Sequence, residues 1–246
     1  MSYLSKLANT LLLSLVLMAC TKTEVIGPPT LSSSRILSYK VTNVSGDPIE
    51  GVINEADQTI TVYLPYYYYS TSLLPEIEVS EGATVTPASE TLLSGLLSYI
   101  QGDSILNYTY TVRGKEGSSA TYKLMLQVQQ PDFTLQELSS DAQNPTTYTV
   151  TTYDGAAINL NWSGDFPSIS DETGRIITKI TLIAENGQKY IIDNNIGFKS
   201  WFSDTGILFY IPVNSATQLP TGLYHVQVTF YSKTVTLQNP IQLIQP

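Results

Sequence analysis

Apolar and polar residues alternate with a period of two along most of the chain after residue 35. Alternation places successive side chains on opposite faces of an extended backbone, so it predicts half-buried β-strands. In the first half the pattern predicts strands at residues 36–42, 59–64, 76–79, 106–112 and 122–128. In the second half it predicts strands at residues 147–151, 158–162, 176–183, 189–192, 207–211, 223–230 and 241–244.

Turn signals separate these strands, among them Ser45-Gly46-Asp47-Pro48 and Asn186-Gly187. Short strands at this spacing predict an all-β chain made of two tandem antiparallel sandwiches, at residues 35–130 and 131–246. Residues 92–100 hold one candidate helical turn, although Gly95 disfavours a helix there.

The amino-terminal segment has a different pattern. Its apolar run, residues 11–19, is nine residues long, whereas a membrane-spanning helix needs about 20 and a signal peptide about 7–15. Residues 1–19 are therefore predicted to be a cleaved signal peptide. Leu17-Met18-Ala19-Cys20 resembles the bacterial lipobox, which implies that Cys20 is lipidated and that residues 20–34 form a lipidated tether. The alternative is an ordinary secretory signal that ends in cysteine by chance.

The composition argues against a nucleic-acid partner and against a disulfide. The chain has 12 basic and 21 acidic residues, and the basic residues do not cluster, so no nucleic-acid partner is expected. Cys20 is the single cysteine, so there is no disulfide.

Residues 35–129 resemble the immunoglobulin-like modules that follow the anchor in Bacteroidetes-type surface lipoproteins. The resemblance rests on the segments at residues 36–39, 60–65, 74–80, 82–87, 108–112 and 122–124. Residues 133–246 resemble an IPT/TIG-type immunoglobulin fold, through the segments at residues 160–166, 176–183, 207–212 and 219–226. These resemblances imply two immunoglobulin-like β-sandwich domains on an outer-membrane lipoprotein exposed at the cell surface. They also imply surface glycan binding, nutrient capture or adhesion.

Two aromatic features are candidate ligand contacts. Four consecutive tyrosines occupy residues 66–69, and alternation would leave at least two of Tyr66, Tyr67, Tyr68 and Tyr69 partly exposed unless another domain covers them. Aromatic rings stack on sugars and phenol hydroxyls bond to them; the alternative is an edge strand with half of its rings buried. Trp201 lies in a loop-flanked segment and is a second exposed candidate, whereas Trp162 is in phase with Ile158 and Leu160 and is predicted to lie in the core.

Catalysis is not expected. His225 is the single histidine and lies in a predicted strand, where a histidine is more often structural than part of a nucleophile–histidine pair. One histidine without a free cysteine cannot complete a zinc site. Asp165, Asp171 and Glu172 lie near Trp162 and could in principle hydrolyse glycosides or bind calcium, but a solvated loop is the favoured interpretation. No cofactor and no metal are predicted. Asp103-Ser104-Ile105 resembles a bacterial O-glycosylation signal.

Two functions remain. The first is a non-catalytic cell-surface lipoprotein that binds extracellular polysaccharide as an accessory of a nutrient-uptake system. The second is an adhesion or structural protein that contacts an outer-membrane protein through its sandwiches.

Overall fold

Strands make up nearly all of the regular structure. The computed structural model describes residues 33–103, 107–165, 170–192, 199–213 and 219–246. Within those ranges lie seventeen strands, one 3-10 turn and two short α-helices, α1 (Leu96–Ile100) and α2 (Asp171–Ile177). The predicted all-β class is therefore confirmed.

The first half of the chain forms one seven-stranded sheet. Its strands are β1 (Ile36–Val41), β2 (Ile49–Asn54), β3 (Thr59–Pro65), β4 (Pro75–Val79), β5 (Thr84–Thr86), β6 (Thr109–Arg113) and β7 (Ser119–Gln129). Their order across the sheet is β4-β1-β2-β3-β7-β6-β5. Neighbouring strands are antiparallel except β3 and β7, which run parallel. Each of the five strands predicted in this half overlaps an observed one, whereas β2 and β5 were not predicted.

This sheet folds over so that its two ends enclose a core. Tyr39 on β1 and Tyr110 on β6 are four strands apart in the sheet, yet their ring centroids are 5.5 Å apart and their hydroxyls 3.1 Å apart. Ile60 and Val62 on β3 are fully buried in the same core as these two tyrosines. The first half is thus a sandwich made from a single curved sheet.

The second half packs two separate sheets face to face. The four-stranded sheet has the order β13-β14-β10-β8, and the larger sheet has the order β12-β11-β15-β17-β9, with β16 also paired to β15. The strands are β8 (Phe133–Leu135), β9 (Thr147–Thr149), β10 (Ala156–Gly164), β11 (Thr178–Ala184), β12 (Lys189–Ile192), β13 (Lys199–Ser203), β14 (Gly206–Ile211), β15 (Gly222–Phe230), β16 (Lys233–Thr236) and β17 (Ile241–Ile244).

Aromatic rings fill the space between these two sheets. Trp162 on β10 lies against Phe230 on β15 and Phe202 on β13, with ring centroids 5.1 and 4.6 Å apart. Trp162 is only 7% exposed, which confirms its predicted place in the core.

The predicted strand at residues 176–183 begins only at Thr178, because α2 occupies residues 171–177. The side-chain oxygen of Ser170 accepts a hydrogen bond from the Thr173 amide at 3.1 Å, which caps the first turn. The negative charges of Asp171 and Glu172 in that turn stabilise the helix by interacting with the positive end of its dipole. The candidate helical turn near Gly95 also forms, as α1, and Gly95 precedes it with a left-handed φ of 78°.

Residues Ser33–Pro246 form one compact unit, because side chains from the first half enter the core of the second. Gln130, 6% exposed, donates to the Phe230 carbonyl at 3.0 Å and accepts from the Ser232 amide at 2.8 Å. Asp103 pairs with Lys179 at 2.6 Å. The domain boundary at residues 130 and 131 lies at this contact and stays a prediction.

Candidate functional site

The four consecutive tyrosines leave strand geometry directly after β3. Tyr66–Tyr68 form one turn of 3-10 helix, and the Tyr69 amide closes it by donating to the Tyr66 carbonyl at 2.9 Å. Tyr69 then adopts a left-handed φ of 45°. A helical turn spreads successive side chains around its axis, so strand alternation does not govern these rings.

The first three rings of the run differ in exposure. Tyr67 is 54% exposed, whereas Tyr66 and Tyr68 are half-buried. The Tyr66 hydroxyl donates to the Asp165 carbonyl at 2.8 Å, and the Tyr68 hydroxyl donates to the Ser45 carbonyl at 2.9 Å. Those two hydroxyls are therefore engaged within the protein, and Tyr67 offers the largest free surface.

Tyr69 requires a correction. Its ring is 7% exposed and lies 5.8 Å from the Phe230 ring and 5.7 Å from the Tyr231 ring, within the core of the second half. Burial raises the pKa of its hydroxyl well above the ordinary value. The expectation that Tyr69 contacts a ligand is wrong for this conformation, because the second half of the chain covers the ring.

Trp201 lies in the middle of an edge strand, β13. The alternation of this strand turns Phe202 inward, at 8% exposure, and leaves Trp201 outward at 47% exposure. Asp171 at the start of α2 accepts a hydrogen bond from the Phe202 amide at 2.7 Å and pairs with Arg175 at 3.0 Å. This carboxylate satisfies an amide on the edge of β13, which fixes the strand that carries Trp201.

Neighbouring strands extend the outward surface around Trp201. Two rows of residues run across the three strands. The first row is Trp201 on β13, Leu208 on β14 and Asn159 on β10. The second row is Ser203, Gly206 and Asn161 on the same strands. We call this outward side of β13, β14 and β10, together with Gln136, the Trp201 face. The sheet brings together residues from positions 136 to 208, whereas Tyr67 lies elsewhere, at the end of β3.

Two of the residues considered for catalysis, His225 and Asp171, have structural partners. The His225 Nδ1 lies 3.1 Å from the Leu237 carbonyl oxygen, as expected of a strand histidine. Asp171 is engaged with Phe202 and Arg175, as described above. In the part of the chain that the structure describes, no group of three or more histidine, cysteine or acidic residues could hold a metal ion.

Two predicted modification sites, Cys20 and Ser104, lie outside the described residues. Among the described residues, no helix has the length and apolar character needed to cross a membrane.

A family model matches part of the chain. Residues 36–94, which include β1 to β5, match the family model "SGBP, N-terminal", the N-terminal part of surface glycan-binding proteins. This is a glycan-binding family and not a catalytic one. None of the curated proteins matches the chain.

Solved structures that match the chain include immunoglobulin-domain proteins. Domains A168 and A169 of titin are 15% identical, with a TM-score of 0.31, over 75% of this chain and 94% of that one. A Bacteroides thetaiotaomicron protein assigned as a glycoside hydrolase is 15% identical, with a TM-score of 0.32, over 82% of this chain and 54% of that one. The Dpr2 Ig1-Ig2 structure, in complex with DIP-Theta, is 12% identical, with a TM-score of 0.27, over 80% and 99%. At these TM-scores the similarities do not bear on function.

Proposed function

We propose that the chain is a non-catalytic cell-surface lipoprotein that binds extracellular glycan as an accessory of a nutrient-uptake system. The observation that carries this proposal is the match of residues 36–94 to a surface glycan-binding family. The exposed aromatic rings support it, because Trp201 and Tyr67 are 47% and 54% exposed on ordered elements. Aromatic faces stack on the C–H faces of sugar rings. Burial of one aromatic ring contributes a large part of the binding free energy of a small site.

Neighbouring rings hold Tyr67 in position. The Tyr67 ring centroid is 4.8 Å from that of Tyr68 and 5.9 Å from that of Tyr66. Because the hydroxyls of Tyr66 and Tyr68 are bonded to backbone carbonyls, those two rings are fixed supports. A fixed ring loses little conformational entropy when a ligand stacks on it.

Anchoring is the second part of the proposal. Acylation of Cys20 would hold the chain at the outer membrane, with residues 20–34 as the tether. Each buried CH₂ of an acyl chain contributes about 0.8 kcal/mol, so several chains together give stable attachment.

Binding of the full chain to a panel of immobilised polysaccharides tests the function. We expect saturable binding to at least one polysaccharide. Absence of binding to every polysaccharide in the panel contradicts glycan recognition.

One observation favours a protein partner as the alternative. Val52 and Met125 lie on either side of Thr61 in the register of β2, β3 and β7, and they are 57% and 36% exposed. Exposed apolar side chains on one sheet face are typical of protein contact surfaces. Capture of one specific outer-membrane protein, lost in Val52→Lys and Met125→Lys, together with no polysaccharide binding, would establish this alternative.

A further inference from the structure

A row of side-chain amides lies on the Trp201 face. The Asn159 side-chain nitrogen donates to the side-chain oxygen of Asn161 at 3.4 Å. The Asn161 side-chain nitrogen donates to the side-chain oxygen of Gln136 at 3.0 Å. The backbone amide of Gln136 in turn donates to the Asn161 carbonyl at 2.9 Å, which holds Gln136 beside β10. All three side chains are exposed, so the row is ordered by internal bonds and open to solvent.

The strand register fixes where this row lies relative to Trp201. Asn159 is two strands from Trp201, a distance of about 10 Å, and Gln136 is three strands from β13, about 14 Å. Gly206 lies between Ser203 and Asn161 and contributes no side chain to the surface. A Cβ at Gly206 would lie 2.3 Å from the Leu160 carbonyl oxygen, so this position requires glycine. The surface beside Ser203 and Asn161 is therefore low, whereas the half-buried side chain of Leu208 lies between Trp201 and Asn159.

The amides suit hydroxyl groups as ligands. A carboxamide carries two N–H donors and an oxygen with two lone pairs, and the row uses one donor each of Asn159 and Asn161. The remaining donors and lone pairs match sugar hydroxyls, which both donate and accept. The amides carry no net charge, and the chain as a whole has a net charge of −9, which repels polyanions.

We propose that the Trp201 face binds an uncharged polysaccharide chain that lies across β13, β14 and β10. Trp201 stacks on the apolar face of one sugar ring, while Asn159, Asn161 and Gln136 bond the hydroxyls of rings further along the chain. The inference rests on the proposed function, since it takes the ligand to be a glycan, and it adds the site and the chemical class.

The test measures the affinity of the full chain for neutral polysaccharides and for polygalacturonate by affinity electrophoresis. We expect neutral polysaccharide to bind and polygalacturonate not to. Trp201→Ala should weaken binding at least about tenfold, the effect of removing an aromatic anchor from a binding surface. Asn161→Ala should weaken it about threefold or more, because it also frees Gln136. Tyr153→Ala is the matched control, since Tyr153 is an aromatic residue that is 91% exposed in the turn before β10, and it should bind as the unmodified chain does.

The outcomes distinguish this inference from the function on which it rests. Glycan binding that Trp201→Ala and Asn161→Ala leave unchanged would overturn the Trp201 face and leave the glycan function standing. Tighter binding of polygalacturonate than of any neutral polysaccharide would overturn the uncharged class. No binding of any polysaccharide by the unmodified chain would overturn both. Emission from Trp162, which stays buried, shows whether each variant is folded.

Discussion

Two neighbouring tyrosines in the core of the second half should respond in opposite ways to the same substitution. The Tyr69 hydroxyl is buried and has no hydrogen-bond partner among the described residues. The Tyr231 hydroxyl, on a ring 5.7 Å away, donates to the Ser70 carbonyl at 2.8 Å. Replacement of either residue by phenylalanine keeps the buried ring and removes only the hydroxyl.

The expected magnitudes follow from the cost of burying polar groups. An unsatisfied buried hydroxyl costs about 1–3 kcal/mol, so Tyr69→Phe should raise the free energy of unfolding by about that amount. Tyr231→Phe removes a hydrogen bond and leaves the Ser70 carbonyl without that donor, so it should lower the free energy of unfolding by about 1–2 kcal/mol. The two variants should therefore differ by at least about 2 kcal/mol.

Equilibrium unfolding of the full chain in urea measures this difference. The midpoints should shift in opposite directions while the slopes stay equal, because the two variants expose the same surface on unfolding. If both substitutions lower the midpoint to a similar extent, the Tyr69 hydroxyl has a partner in solution. The reasoning about this core would then be refuted.

Three further predictions concern the anchor, the edge strand and alkaline pH. Cys20→Ser should release the chain from membranes and abolish fatty-acid labelling, and retention of both would contradict lipidation. Asp171→Ala should lower the free energy of unfolding by about 1–2 kcal/mol, because the Phe202 amide loses a charged acceptor; thermal unfolding measures this, and an unchanged midpoint would show that the edge of β13 needs no cap. Burial, followed by a hydrogen bond to Glu55, raises the pKa of Tyr122 to about 12. Its contribution to stability is therefore complete below the ordinary pKa near 10 and declines as pH rises towards 12; tyrosinate absorbance should appear together with unfolding there, and ionisation of every tyrosine in the folded chain would contradict this.

Most strands could be predicted from the sequence because alternation is what a half-buried strand requires. β2 was missed for a local reason. Gly51 replaces the apolar residue that alternation would need there, because the Tyr39 ring covers that position and a Cβ would lie 2.9 Å from its Cδ1. α2 was missed because its apolar residues Ile176 and Ile177 continue into the pattern of β11, although Ser170 and the acidic residues after it are a recognisable cap.

The candidate site was predictable in part. Alternation predicts that Trp162 lies inside, and the same pattern places Asn159 and Asn161 on the outward side of β10, so the sequence also carries the signal for the amides. The burial of Tyr69 had no local signal, because its neighbours Phe230 and Tyr231 lie in the other half of the chain. Contacts across such sequence separations are fixed by the packing of the two halves.

Tryptophan fluorescence during glycan titration tests the central claim most directly. The chain has two tryptophans, and Trp162 is buried while Trp201 is 47% exposed. Addition of a neutral oligosaccharide that binds should change the emission and shield one tryptophan from a soluble quencher. Both effects should disappear in Trp201→Phe, in which Trp162 alone remains. Glycan binding that leaves the emission of the unmodified chain unchanged, or an undiminished response in Trp201→Phe, would contradict glycan recognition at the Trp201 face.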